Sequence, residues 1–149
     1  MTDIGFYHLQ RSPLEEALPR LLEKALGAGL KALVRTPSEA EAERLAQLLW
    51  VYDPNSFLPH GTARDGHAAE QPIYLTADDE NPNGAELLAQ IGGAEMPDLA
   101  PFKRCLDLFD GGDDDQVAAA RARWKRYAAA GHQLTYWQQK PNGGWEKKA

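Results

Sequence analysis

One group of side chains near the end of the chain has the types and spacing to grip an anion that carries a ring. Arg121, Trp124 and Lys125, with Val117 before them and Ala128 after, recur at intervals of three and four residues and so share one helical face. The apolar stems of Arg121 and Lys125 can flank the Trp124 ring while their charged ends reach outward. That suits a pocket for an apolar group with a carboxylate beside it. It suits equally a core that takes Trp124 and Tyr127 and leaves the bases as a solvated face; the pattern weighs the two evenly. Charge is sorted along the chain in the same sense. Residues 116–149 hold seven Lys or Arg against one acid, Glu146, a net of +6, and the whole chain carries −6, which leaves −12 for residues 1–115. A basic end on an acidic protein implies a partner for it.

A second group is Leu49-Trp50-Val51-Tyr52 with Phe57-Leu58-Pro59-His60 after the Asp53-Pro54-Asn55 turn. Large aromatics at a helix end and in the next loop build contact patches, and they also cap the edge of a core; the pattern leans to the cap. Other chemistry is thinner. His8, His60, His67 and His132 lack ligand spacing, and His60 reads as a loop-fixing hydrogen-bond partner before it reads as a base. Asp78-Asp79-Glu80 and Asp113-Asp114-Asp115 read as an acidic surface turn and a helix start rather than cation sites. Gly27-Ala28-Gly29 follows a helix instead of a strand, the reverse of a phosphate-binding turn, and no Gly-x-Ser-x-Gly elbow occurs. No nucleophile, base and oxyanion donor assemble, so the reading is of a protein that binds, needs no cofactor and is not itself an enzyme.

The elements that must position these groups follow from local signals. Asp3–Gln10, Leu30–Arg35, Pro72–Ala77, Leu87–Ile91, Phe102–Phe109 and Gln133–Gln138 read as strands, Leu87–Ile91 being ambiguous with a helical turn. Ser12-Pro13 is a helix-start signal, but Pro19 places the main first helix near Pro19, ending at Gly27 or Gly29. Thr36-Pro37-Ser38-Glu39 predicts a second helix capped by Thr36 and running to Trp50. A third is predicted over Gln116–Ala130, stopped by Gly131. Strand and helix alternate, which predicts an α/β fold: three layers, α/β/α, a mainly parallel or mixed sheet with helices on both faces. Residues 1–139 form one domain and 140–149 a polar C-terminal tail. Cys105, the one cysteine, sits among Phe102, Leu106 and Leu108 as a small buried hydrophobe. With no bilayer-length apolar run and no signal-like start, the expectation is a reduced, cytoplasmic protein without membrane contact.

Over nearly its whole length the chain resembles the chi subunit family of bacterial DNA polymerase III. The likeness rests on the Phe6-Tyr7 strand, Leu49-Trp50 with Ser56-Phe57-Leu58-Pro59-His60, Pro72-Ile73-Tyr74-Leu75, the strand ending in Phe109, and Arg121-x-x-Trp124-Lys125 before Gly131. The acidic Asp78–Gly84 segment and Thr135-Tyr136-Trp137-Gln138-Gln139 look like the alphaproteobacterial form. This resemblance implies a non-catalytic adaptor in DNA replication. It would bind the acidic, phenylalanine-ended C-terminal tail of the single-stranded-DNA-binding protein, and touch DNA only indirectly. It implies tail binding by Arg121, Trp124 and Lys125 with Val117 and Ala128, and contact with the psi subunit, clamp loader or an alternative helicase through Trp50 and Phe57. Two positions depart from the family's best-known members: Trp124 replaces a tyrosine and Ala128 a further base, which makes the pocket less basic. Two rivals stand beside it. One is a module that binds single-stranded nucleic acid directly by stacking on Trp124, Tyr127, Tyr136 and Trp137. The other is an enzyme of nucleotide metabolism on a similar sheet.

Overall fold

The computed structural model describes residues 2–9, 14–51, 58–140, 142 and 144–148. Seven strands form one sheet: β1 (Asp3–Leu9), β2 (Ala32–Arg35), β3 (Ile73–Thr76), β4 (Leu87–Ile91), β5 (Arg104–Asp110), β6 (Gln133–Gln139) and β7 (Trp145–Lys147). Their order is β3-β2-β4-β5-β1-β6-β7, parallel throughout except for the antiparallel β6–β7 pair. Three helices, α1 (Leu14–Gly27), α2 (Glu39–Val51) and α3 (Asp114–Ala129), cover it. The α/β reading of the sequence is borne out.

Strand residues alternate between two cores, as expected where both faces of a parallel sheet are buried. Tyr7, Leu9, Val34, Leu75, Ala89, Leu106 and Leu108 pack beneath α1 and α2. Ile4, Phe6, Leu33, Tyr74, Leu88, Cys105 and Phe109 pack beneath α3 and the 92–103 segment, through Met96, Leu99, Phe102, Ala120 and Tyr127. Cys105 is fully buried, as expected.

Three local expectations need correcting. The first helix begins at Leu14 and carries Pro19 inside it. Burial of Ala17, Leu18 and Pro19 itself, about 1.5–3 kcal/mol for a leucine, is set against the lost hydrogen bond. The Ser12-Pro13 signal lies outside the described residues, as does the Asp53-Pro54-Asn55 turn. At α2 the cap is Ser38, whose Oγ accepts the Glu41 N–H at 3.1 Å, whereas the buried Thr36 hydroxyl donates to the Ser38 carbonyl at 2.8 Å. The segment after Lys140, expected as a polar tail, supplies β7, with Trp145 paired to Gln139 and Lys147 to Trp137.

The ends of α3 are built as its sequence signals. Asp113 caps it by accepting the Asp115 and Gln116 N–H groups, and Asp114 and Asp115 meet the positive end of the helix dipole. Gly131, at φ 89°, turns the chain so that its N–H reaches the Ala128 carbonyl and that of His132 reaches Tyr127.

What holds α3 against the sheet is unusual for a helix core. Its inward line is Ala120, Arg123 and Tyr127, and Arg123 meets Asp107 of β5 through two hydrogen bonds of 2.7 Å, with the side chains 4% and 1% exposed. Gln90 donates to Asp107 (3.3 Å) and to the Tyr127 hydroxyl (3.2 Å), and its carbonyl accepts the Met96 N–H. Tyr127 donates to Glu95 at 2.7 Å, and Arg126 grips the same carboxylate. Removing one partner of such a pair leaves an uncompensated buried charge, whereas an apolar pair of similar volume does not. Arg123→Met should therefore cost about 3–5 kcal/mol in denaturant unfolding, and Asp107→Leu combined with Arg123→Met should recover most of that loss. Equal stability of the single variant and the parent would show that the pair does not hold the helix.

Candidate functional site

The inward line of α3 decides what the next line presents. Val117, Arg121 and Lys125 stand one turn apart, with Trp124 beside them, along the rim of a cleft of about 360 Å3 between α3 and the sheet. The remaining wall comes from three strands: Phe6 of β1, Phe109 of β5 and Tyr136 of β6, with Ala120 at the base. An apolar cavity of roughly 150 Å3 already accepts benzene, so the cleft has ample room for one aromatic ring. Trp124 is half-buried, edge-on to Phe6 at 5.3 Å and to Tyr136 at 6.2 Å. Tyr127 is in the core. Of the two even readings, Trp124 takes the pocket wall and Tyr127 the core.

Charges on α3 divide in the same way. Arg123 is committed to Asp107 and Arg126 to Glu95. Arg121 and Lys125 are exposed and form no ion pair among the described residues. An apolar cleft thus carries two free cations at its mouth. Ala128 is exposed and is not among the lining residues, so this cleft does not use it.

Sequence patterning did not bring out the other side of this cleft. His8 lies next to it, its Nδ1 hydrogen-bonded to the Tyr136 hydroxyl and its ring 5.1 Å from Phe109. Gly111 makes room for it: a Cβ there would stand 2.0 Å from the His8 Nε2. Burial pushes the His8 imidazole below its ordinary value, and the Arg121 charge pushes it further against the pull of Asp110. Burial raises the Tyr136 phenol. The alternating strand positions of Phe6, His8, Phe109 and Tyr136 were the available signal, but only the parallel register sets them side by side.

The second predicted surface is half described. Trp50 and Val51 are 53% and 73% exposed, the large hydrophobics left open among the described residues. Trp50 packs on the buried His60 ring at 4.5 Å, while Leu49 and Leu58 of the same stretch lie in the core, as the leaning to a cap expects of them. Phe57 lies outside the described residues. His60 fixes the loop, with Nδ1 2.6 Å from the Leu58 carbonyl and Nε2 2.8 Å from that of Ala46. Both nitrogens being engaged, the base reading falls away. Asp79 pairs with Arg35 and Glu80 accepts from Thr76, and no metal-holding cluster occurs among the described residues. The four rings proposed for stacking nucleic acid do not form one platform. Tyr127 is buried, Trp124 and Tyr136 belong to the α3 face, and Trp137 to the opposite one. No helix among the described residues is long and apolar enough to cross a membrane.

The profile of the family described as "DNA polymerase III chi subunit, HolC" matches residues 1–135. A Rickettsia prowazekii protein named "Probable DNA polymerase III subunit chi" is 31% identical over 73% of this chain and 66% of its own length, just under two thirds. The DNA polymerase III subunit chi of Haemophilus influenzae is 30% identical over 82% of this chain and 85% of its own. That of Pseudomonas aeruginosa is 28% identical over 90% and 94%. With the α/β sheet and the aromatic cleft in place, these likenesses settle the family: the chain belongs to the chi subunits of DNA polymerase III.

Proposed function

We propose that the α3 cleft receives the acidic, aromatic-ended C-terminal tail of the single-stranded-DNA-binding protein, and that the chain is a non-catalytic adaptor linking it to the clamp-loader complex. The observation that carries this reading is the sorting of charge on α3: two arginines neutralised by Asp107 and Glu95, and Arg121 and Lys125 left free beside an apolar cleft. A terminal phenyl ring fills the space between Trp124, Phe6 and Phe109. The carboxylates around it take charge-assisted hydrogen bonds from Arg121 and Lys125. The exposed Trp50 end of α2, on the other side of the sheet, joins the psi subunit, the clamp loader or an alternative helicase.

Calorimetry with a short synthetic tail tests the first site. Lys125→Glu or Arg121→Glu should weaken binding by about 1–3 kcal/mol, and deletion of the peptide's last residue should cost a similar amount. Added salt should weaken binding without abolishing it, since the ring's contribution is not screened. Unchanged affinity in a folded Lys125→Glu variant would remove the site.

His8 gives the same site a pH signature. Its folded pKa lies below the ordinary 6.5, so on acidification the unfolded chain takes the proton first and the free protein loses stability as pH falls below about 6.5. A carboxylate bound at Arg121 offsets that arginine's repulsion and draws a proton onto His8. Tail affinity should therefore rise between pH 7.5 and 6, where the tail's own carboxylates do not titrate. His8→Leu should flatten the profile; a slope unchanged by that substitution would separate His8 from the site.

Buried aromatic anchors contribute about 2 kcal/mol or more each at interfaces. Trp50→Ala should accordingly release the clamp-loader or helicase partner in a pull-down while tail binding persists. Loss of both from a folded protein would contradict two separate surfaces.

A further inference from the structure

Unpaired cations beside aromatic rings occur a second time, on the opposite face of the sheet. Because α1 packs chiefly over β2 and β5 and α2 over β3, a groove of about 290 Å3 opens between α1 and the β1–β6–β7 edge. Tyr7 and Trp137, opposite each other across β1 and β6, lie nearly parallel at 6.2 Å, and Trp145 of β7 stands edge-on to Tyr7 at 5.1 Å. Leu21 and Lys24 of α1 and Arg104 of β5 are in the same lining. The Arg104 charge reaches the Tyr7 phenol, opposing the upward push of burial. Lys147 pairs directly with Trp137 across the hairpin and so shares its face. None of Lys24, Arg104 and Lys147 forms an ion pair among the described residues, although Asp3 is the register neighbour of Arg104. Of the acids on α1 and β5, Glu15 turns to Arg44 of α2 and Asp107 is sealed under α3.

We infer that this groove binds single-stranded DNA, with bases stacked on Trp137 and Trp145 and phosphates held by Lys24, Arg104 and Lys147. A carboxylate-bearing peptide would satisfy the cations as well, but rings do not recur between its charges as a matter of backbone chemistry, whereas along a nucleic-acid strand they do. Here two tryptophans and a tyrosine stand in one groove with Lys24 and Arg104 in the same lining and Lys147 beside Trp137, a combination of rings and cations that suits a strand of alternating bases and phosphates. DNA rather than RNA follows from membership of a DNA polymerase subunit family. The site lies apart from the α3 cleft, on the other face of the sheet, and does not depend on the reading given for that cleft.

Fluorescence anisotropy of a labelled oligo-dT of about 15 nucleotides with the full chain at 50 mM salt tests it. Binding should fall with salt at a log–log slope of roughly −1.4 to −2, the value for two or three phosphate contacts on a single strand. Lys24→Glu combined with Arg104→Glu should weaken it about tenfold or more, and Trp145→Ala about fivefold or more. Lys125→Glu, across the sheet, should leave oligonucleotide binding intact while it weakens tail binding, which distinguishes failure of one site from failure of the other. The double variant alters only rim charges, so the result does not hinge on folding of the Trp145 hairpin. Absence of binding at 50 mM salt, equal binding by the double variant, or loss through Lys125→Glu alone would overturn the assignment. So would tighter binding of oligo-U, or capture in this groove of an acidic peptide that oligo-dT cannot displace.

Discussion

The buried Asp107–Arg123 pair fixes the rotation of α3, and most of what the protein offers to partners depends on that rotation. An amphipathic helix ordinarily finds its orientation through an apolar stripe. Here the inward line has only Ala120, Arg123 and Tyr127, so an apolar stripe alone would define it loosely. A bidentate guanidinium–carboxylate contact tolerates far less rotation than greasy packing does. Once Arg123 points at β5, Arg121 and Lys125 must emerge on the cleft side, with Trp124 between them and the strands. The same network, through Gln90, Tyr127 and Glu95, pins the 92–103 segment that seals the rest of that face.

The sheet sets two chemically related surfaces back to back. Residues one apart on β6 show this directly: Tyr136 belongs to the α3 cleft and Trp137 to the groove beside α1. Strand alternation separates them by the thickness of the sheet, so occupants of the two sites do not compete for space. Trp50, at the end of α2, is a third place, remote from both along the order of strands, since α2 packs on β3 at the opposite edge from β6 and β7.

Much of this was legible in the chain because the relevant signals are local. Alternating apolar strands, Asp113 before α3 and Gly131 after it depend on neighbours a few residues away. So does the Val117-Arg121-Trp124-Lys125 spacing, which placed one wall of the cleft. The other wall was not legible, since Phe6, Phe109 and Tyr136 become neighbours only through the register of three strands. Nor was the role of Arg123, which looks like one more base among four on α3 until Asp107 faces it. Pro19 misled because its local cost is outweighed by burial that pattern does not measure. Trp145 was lost in a polar segment whose pairing to Gln139 supplies the strand that its own composition does not.

The position of β1 bears on how the molecule is made. It sits between β5 and β6, so Asp3 pairs with Arg104 on one side and Gln133 on the other, while the Thr2 N–H donates to His132 Nδ1. This strand therefore leaves the ribosome before either of its partners, which lie more than 100 residues behind it. Contacts of that span carry a large loop-closure cost and slow folding. Until β5 is synthesised, the nascent chain holds Phe6 and Tyr7 with neither flanking strand in place, and until β6 with only one, the kind of exposed apolar edge that chaperones bind. Enclosure of β1 and completion of the α3 cleft become one event: the strand that brings Tyr136 to the pocket is also the strand that closes the second side of β1.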